Sequence, residues 1–291
     1  MTTIKNLVLS GGGVLGISYV SSLRVLDEHG ILKNIQKYAG VSVGSILIGA
    51  LACGASIDYL EKVFKMVDFN NFRDENNILF KISGFFKRFG YYRGDKLMKW
   101  YRSIIQELTS NGDITLGEIY QKYGKEIVIV ATNVDKRKSE YFTTKTHPEM
   151  SLVQAVRISA SYPFFFETVK YNNDIYIDGG LLNNYPISIF DNESEFSETL
   201  GLKLTTSSDL EHINNPIDRP PKSTSDYIFT IVQMLLSLAL RTHIDTVDLK
   251  RTVMINTKTI SSMNFNITEQ DKEFLIQQGR LDTERFLQTL S

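Results

Sequence analysis

Gly40-Val41-Ser42-Val43-Gly44 lies between a short apolar segment that can form a strand and an apolar run, Ile46 to Cys53, that can form a helix. A serine with glycines two residues before and two after suits a sharp strand-to-helix turn, because a side chain at either flank would collide with neighbouring backbone. Such a turn pushes the hydroxyl out of the fold. It also sets that hydroxyl at the positive end of a helix, where developing negative charge is stabilised. Glycine and serine are common residues, so the pentapeptide gains meaning only if the chain supplies the other parts a nucleophile needs.

Towards the N-terminus, Lys5 to Ser10 is a short β-branched and leucine-rich run that predicts a buried strand ending at Gly11, Gly12 and Gly13. Val14 to Glu28 then predicts a helix, with Ile17, Val20, Leu23 and Leu26 near helical spacing and His29-Gly30 as its stop. Strand, glycine turn and helix open a βαβ unit. Gly11-x-Gly13-x-x-Gly16 is also the spacing of a dinucleotide fingerprint, which needs an acidic residue about 20 positions on to hold the ribose. Between His29 and Ile57 there is no Asp or Glu, and Gly40 to Gly44 stands in that place instead.

Further along, Ser56 caps an expected helix from Ile57 to Val67, and Lys96 to Glu107 and Ile114 to Tyr123 predict two more. Glu126 to Thr132 is apolar on both faces, as a sandwiched parallel strand should be. Ser139 to Thr144 is expected to return beside it, and Met150 to Ser159 reads as a helix broken by Pro163. Val169 to Ile177 alternates like a hairpin turning at Asn172-Asn173. Thr199 to Leu204 predicts another strand. The polar stretch Thr205 to Ser223, with Pro216, Pro220 and Pro221, is expected to be a mobile loop, followed by helix Ser225 to Arg241, strand Thr252 to Thr257 and helix Thr268 to Leu290.

Between Phe69 and Arg93, Leu79, Phe80, Phe85, Phe86, Phe89, Tyr91 and Tyr92 are interleaved with Lys81, Lys87, Arg88 and Arg93. That mixture suits a membrane interface. A loop and helix covering the core is the plainer reading and is preferred.

Composition sets the limits. With 291 residues, 42% hydrophobic and 22% charged, the chain resembles an ordinary globular protein able to bury a large core. A net charge of -1 gives no global reason to expect nucleic acid as a partner. Cys53 is the single cysteine, which excludes an intrachain disulfide and a cysteine-rich zinc site and fits a reducing compartment. The first residues show no signal-peptide pattern. The most apolar runs, Val43 to Ala55 and Ile228 to Leu240, fall short of the roughly 20 residues that span a bilayer. A cytoplasmic protein with peripheral membrane association is the expectation.

If Ser42 is a nucleophile it needs a base. The four histidines, His29, His147, His212 and His243, sit at a helix end, in a polar turn, in the proline-rich loop and after a helix. None has the glycine-rich, strand-end setting that holds a catalytic group still. Asp178 has it, following Asp174 to Ile177 and preceding Gly179-Gly180. Partial burial there would disfavour the charged form and raise its basicity. Alone, Asp-Gly-Gly reads as a turn.

Taken together these stretches resemble the patatin-like phospholipases. Gly11-Gly12-Gly13-Val14-Leu15-Gly16 is similar to the glycine loop whose amides form that family's oxyanion hole, Gly40 to Gly44 to its nucleophile turn, and Asp178-Gly179-Gly180 to the motif whose aspartate completes a Ser-Asp dyad. Ala155-Val156-Arg157-Ile158-Ser159-Ala160-Ser161-Tyr162-Pro163 and Asn183-Asn184-Tyr185-Pro186 also look like the family's. The resemblance, from Leu7 to about Pro186, implies an α/β fold, a three-layer α/β/α arrangement around a mostly parallel sheet. It divides the chain into a catalytic core at 5–204 and a C-terminal extension at 205–291 packed on the same domain. It further implies hydrolysis of phospholipid or neutral-lipid esters through an acyl-serine, with no cofactor or metal. Transient membrane contact and a protein activator of unknown kind are the partners it leaves room for. Two positions depart from the pattern: Leu15 stands where the family mostly has Arg or Lys, and Glu167 where proline is usual. The competing readings are an inactive lipid-binding or scaffolding relative, and a Ser-His-Asp esterase using His212 or His243.

Overall fold

A computed structural model describes residues 3–74, 85–206, 220–224, 226–228, 230–232, 234 and 245–290. The strands are β1 (Asn6–Leu9), β2 (Lys37–Val41), β3 (Gly90–Tyr92), β4 (Glu126–Asn133), β5 (Lys138–Thr143), β6 (Phe164–Phe166), β7 (Val169–Tyr171), β8 (Asp174–Asp178), β9 (Thr199–Thr205) and β10 (Thr252–Asn256). Eight of them form one sheet in the order β10-β9-β1-β2-β4-β8-β7, with β5 also on β4. The pairs from β10 to β4 are parallel. Those of β4 with β5 and β8, and of β7 with β8, are antiparallel.

Strand β4 has three neighbours, and its register explains how. Residues Glu126 to Val130 pair with β2 and residues Ala131 to Asn133 with β8, while β5 pairs across Val128 to Asn133. Because β5 overlaps both others, it must occupy the opposite edge. Strands β2 and β8 therefore share one edge of β4, end to end.

Alternation along the central strands sends side chains to two faces. Leu7, Leu9, Ile127, Ile129, Leu200 and Leu202 enter the main core, whereas Val8, Ala39 and Val128 pack with Tyr185, Ile187 and Phe190 on the other side. Helices α1 (Ile17–Glu28), α2 (Val43–Ala52) and α3 (Ile57–Met66) cover the first face. The second carries the segment around Tyr185 to Phe190 and the short helix Gly180–Asn183, whose Asn183 amide donates to the Tyr141 hydroxyl, 3.2 Å. This is the three-layer α/β/α architecture, with one thick and one thin outer layer. Helix α2 is buried nearly all round, as its unbroken apolar sequence requires. The Tyr101 hydroxyl reaches across to the Ile46 carbonyl, 3.1 Å.

The cap read in the sequence forms as expected for α3, where the Ser56 side chain accepts from the Tyr59 amide at 3.2 Å; on the helix Leu116–Tyr123, Thr115 with Glu118 builds a capping box that the sequence reading did not name. Elsewhere the structure corrects the reading. The helix expected from Val14 starts at Ile17, since Gly13–Gly16 is a tight 3-10 turn in which the Val14 amide is drawn out to the Ser262 carbonyl, 3.0 Å. The segment before Arg93, read as a loop and helix covering the core, contributes β3, which pairs in parallel with β6, while Leu79, Phe80 and Lys81 lie outside the described residues. Within that segment Phe69 and Phe72 are core residues, whereas Phe86 and Phe89 are exposed. The expected loop from Thr205 to Ser223 and helix from Ser225 to Arg241 fall largely outside the described residues. No described helix is long and apolar enough to cross a membrane.

The long helix Glu269–Leu290 packs on α1 through Gly279. A Cβ there would lie 2.0 Å from the Ser18 carbonyl oxygen, and the Ser22 hydroxyl donates to the Gly279 carbonyl at 3.0 Å. Gly279→Ala gains about 1 kcal/mol in helix propensity but forces the two helices apart, an overpacking cost of about 1–3 kcal/mol. Urea unfolding is expected to show net destabilisation.

Candidate active site

Shared occupancy of the β4 edge is what assembles the site. Val41, the last residue of β2, lies opposite Val130, and Asp178, the last of β8, lies opposite Ala131. Two chain segments more than a hundred residues apart thus end at consecutive rungs. Ser42 and Asp178 meet there, close enough for the serine side chain to pull the Asp178 pKa down.

Ser42 sits at φ 52°, ψ −122°, a left-handed conformation that costs a non-glycine residue about 1–3 kcal/mol. Its surroundings hold it there. The Ser42 amide donates to Ser159 Oγ at 2.9 Å, and Ser159 Oγ donates in turn to the Val130 carbonyl at 2.7 Å. The Ser42 carbonyl receives the Ser45 amide at 2.9 Å and so opens α2. A Cβ on Gly40 would lie 2.7 Å from the Gly44 carbonyl carbon, and one on Gly44 only 2.5 Å from the Leu9 carbonyl oxygen. Gly16 likewise lets Val43 approach.

Asp178 is 4% exposed, more deeply buried than a strand-end carboxylate read from sequence suggested. Its amide donates to the Ser161 carbonyl at 2.9 Å, and its Oδ1 accepts from the Gly180 amide at 2.7 Å. Burial pushes its pKa up to about 6, against the pull of the hydrogen bonds from Gly180 and Ser42. Gly179 is tight against the Val130 carbonyl, where a Cβ would sit at 2.4 Å.

The glycine loop reaches the same place. A Cβ on Gly11 would be 3.2 Å from Ser42 Cβ and 2.4 Å from Asn184 Oδ1. Asn184 ties the loop down twice: its carbonyl accepts from the Gly11 amide at 3.2 Å, and its side-chain amide donates to the Gly11 carbonyl at 3.3 Å. The Gly11 amide is thereby occupied, while those of Gly12 and Gly13 donate to no backbone carbonyl among the described residues. Leu15 is buried in the main core. Glu167 carries an ion pair with Arg88, 2.6 Å, and its amide donates to the Tyr92 carbonyl.

The histidines lie elsewhere or outside the description. His29 Nδ1 is bonded to the Val25 carbonyl at 2.8 Å, and His147 packs edge-on against Phe142 beside Thr146, its pKa lowered by burial. His212 and His243 fall outside the described residues. Sequence reasoning missed Ser159 and Asn184 as parts of this site. Both stand in stretches noted for family likeness, yet only the long-range contacts reveal what their side chains do.

The Patatin-like phospholipase family model matches residues 7–191. An uncharacterised protein of Acanthamoeba polyphaga mimivirus is 32% identical over 278 residues, covering 95% of this chain and 91% of its own length. A probable lipid hydrolase of Invertebrate iridescent virus 6 is 30% identical over 185 residues, 64% of this chain and 62% of that protein. In fold the chain is similar to VipD from Legionella pneumophila, with TM-score 0.68 at 19% identity over 99% of this chain and 67% of the other. Fold and site arrangement define an α/β protein with a serine turn at the end of a parallel strand. The chain belongs to the patatin-like phospholipase family.

Removing the Ser159 hydroxyl strands two buried backbone groups, the Ser42 amide and the Val130 carbonyl. Ser159→Ala is expected to lower stability by about 1–3 kcal/mol in denaturant titration, the cost of an unmade buried hydrogen bond.

Proposed function

We propose that this protein hydrolyses acyl esters of phospholipids or neutral lipids with Ser42 as nucleophile and Asp178 as general base. The observation that carries the reading is the junction on β4 that brings Ser42, at a strained turn opening a helix, to a buried carboxylate whose pKa is raised to about 6. Asp178 takes the Ser42 proton as Oγ bonds to the ester carbonyl carbon. The amides of Gly12 and Gly13, with Gly11 already engaged by Asn184, are the donors for the oxyanion. Collapse breaks the ester C–O bond, and the leaving alkoxide receives the proton from Asp178. Water then attacks the acyl-serine and gives its proton to Asp178. The fatty acid leaves as the Ser42–acyl bond breaks, and Ser42 recovers its proton. In this scheme no histidine is required.

A lipid surface also has a suitable contact. The Phe85 ring packs with Phe86, Tyr91 and Phe164 at 5.5, 4.9 and 5.9 Å, Phe86 is 74% and Phe89 48% exposed, and Lys87 is exposed between them. Exposed rings beside a cation suit the headgroup region of a bilayer, and Phe164 is three residues from Ser161, whose carbonyl accepts the Asp178 amide. Transient docking through this patch is part of the proposal.

Fatty-acid release from mixed phospholipid and triacylglycerol substrates tests the chemistry. Ser42→Ala and Asp178→Asn are each expected to lose on the order of 10³-fold or more in turnover, with His147→Ala retaining it. Full turnover in the Asp178 variant would remove the base assignment. A base must be ionised, so kcat/KM is expected to fall about tenfold per pH unit below about pH 6 and to level off above it. For docking, the double variant Phe86→Ser, Lys87→Glu is expected to lose co-sedimentation with anionic vesicles while hydrolysing a short soluble ester at the wild-type rate.

A further inference from the structure

Each amide assigned to the oxyanion shares a planar peptide with the carbonyl of the residue before it. In a trans peptide the N–H and C=O point in opposite directions. Whatever holds the Gly11 carbonyl therefore aims the Gly12 amide, and whatever holds the Gly12 carbonyl aims the Gly13 amide. The second hold is local: the Gly12 carbonyl accepts the Leu15 amide at 3.1 Å inside the 3-10 turn. The first is made by side chains. The Gly11 carbonyl accepts from the Ser10 hydroxyl at 3.1 Å and from Asn184 Nδ2 at 3.3 Å. Ser10 Oγ is shared with the Tyr19 hydroxyl at 2.8 Å and the Leu204 amide at 3.2 Å.

The short helix after Asp178 sets Asn184 in place. Asn184 stands four residues beyond Gly180 and keeps helical backbone angles, so the two share a face. Its Oδ1 lies where a Cβ on Gly180 would be 2.5 Å away and one on Gly11 2.4 Å away. Gly180 is also the residue whose amide holds Asp178 Oδ1 at 2.7 Å. One side chain is thus keyed at once to the residue that holds the proposed base and to the glycine loop, and only glycine at 11 and 180 leaves it room. The Asn184 carbonyl takes the Gly11 amide at 3.2 Å, which keeps that amide turned away from the Gly12 side of the loop.

We propose that Asn184 is a positioning residue for the oxyanion, acting through the Gly11–Gly12 peptide to aim and polarise the Gly12 amide. This rests on the Ser42–Asp178 reading. When Ser42 Oγ bonds to the ester carbonyl carbon, the carbonyl π pair moves onto oxygen, and the Gly12 N–H is one of the groups that meets the charge. A donor on the far end of the same peptide draws electron density towards the Gly11 oxygen and makes the N–H a stronger donor. Asn184 itself does not touch the ester.

The test compares Asn184→Ala with wild type on an ester and a thionoester of the same acyl chain and alcohol, together with the urea midpoint. Sulfur is a poor hydrogen-bond acceptor, so the thionoester draws much less on the oxyanion donors. The expected result is a loss of about 10- to 100-fold on the ester, carried by kcat and not by KM, with a smaller loss on the thionoester. The preference for ester over thionoester then shrinks. A merely structural role would lower the midpoint and reduce both rates equally, leaving the preference at its wild-type value. That result, or no loss on either substrate, would overturn the proposal. If Asn184→Ala does not fold, the preference is read from Asn184→Asp, which has the same shape but sets an oxygen against the Gly11 carbonyl. A reduced preference is expected there too, and an unchanged one would overturn the proposal equally. The parent reading is tested apart from this: if Ser42→Ala or Asp178→Asn hydrolysed the ester at the wild-type rate, that reading would fail whatever the Asn184 variants did.

Discussion

One edge of β4 carries the rest of the structure. Five of its residues pair with β2 and the last three with β8, so a parallel strand and an antiparallel one end against each other at Val130 and Ala131. Hydrogen-bond register fixes the position of both strand ends to within a rung, which is finer control than a loop could give. Ser42 and Asp178 are the residues at that junction. Ser159 reinforces it by bridging the Ser42 amide to the Val130 carbonyl, so β4 contacts the serine turn through a side chain as well as through its ladder.

The junction is held at a cost in stability. Ser42 has a left-handed backbone conformation, and Asp178 is buried with its charged form disfavoured. Each destabilises the fold by about 1–3 kcal/mol. Such terms persist only where surrounding structure over-determines them. Here the surroundings are helix α2, buried on nearly every side, and glycines at 40, 44 and 179 that admit backbone where no side chain could fit. Concentration of strain and a buried carboxylate at one junction is the pattern expected of a site that stabilises something other than its resting state.

Local sequence made part of this visible. The pentapeptide at Gly40 to Gly44 showed its turn in part because Gly40 is demanded by the Gly44 backbone four residues on, whereas Gly44 is demanded by the distant Leu9 carbonyl of β1; the apolar runs of β1 and β4 announced buried strands. The start of α1 was misread because the Val14 amide is captured by Ser262, a partner almost 250 residues distant. Ser159 and Asn184 were seen as members of familiar stretches but not as working parts, since the groups they hold lie 117 and 173 residues away. The β3–β6 pair escaped notice for a related reason: three-residue strands rich in aromatics carry no clear period. Periodicity and turn chemistry reveal elements; they do not reveal which distant side chain secures them.

The central claim is that a single serine, ionised through Asp178 and not through a histidine, attacks the ester. Peptide mapping by mass spectrometry after reaction with a fluorophosphonate, repeated from pH 4.5 to 8.5, tests it most directly. The account predicts one adduct, on the peptide containing Ser42, with a labelling rate that rises through about pH 6 and loses that dependence in Asp178→Asn. An adduct on another residue, or the same pH dependence persisting in Asp178→Asn and vanishing in a histidine variant, would contradict it.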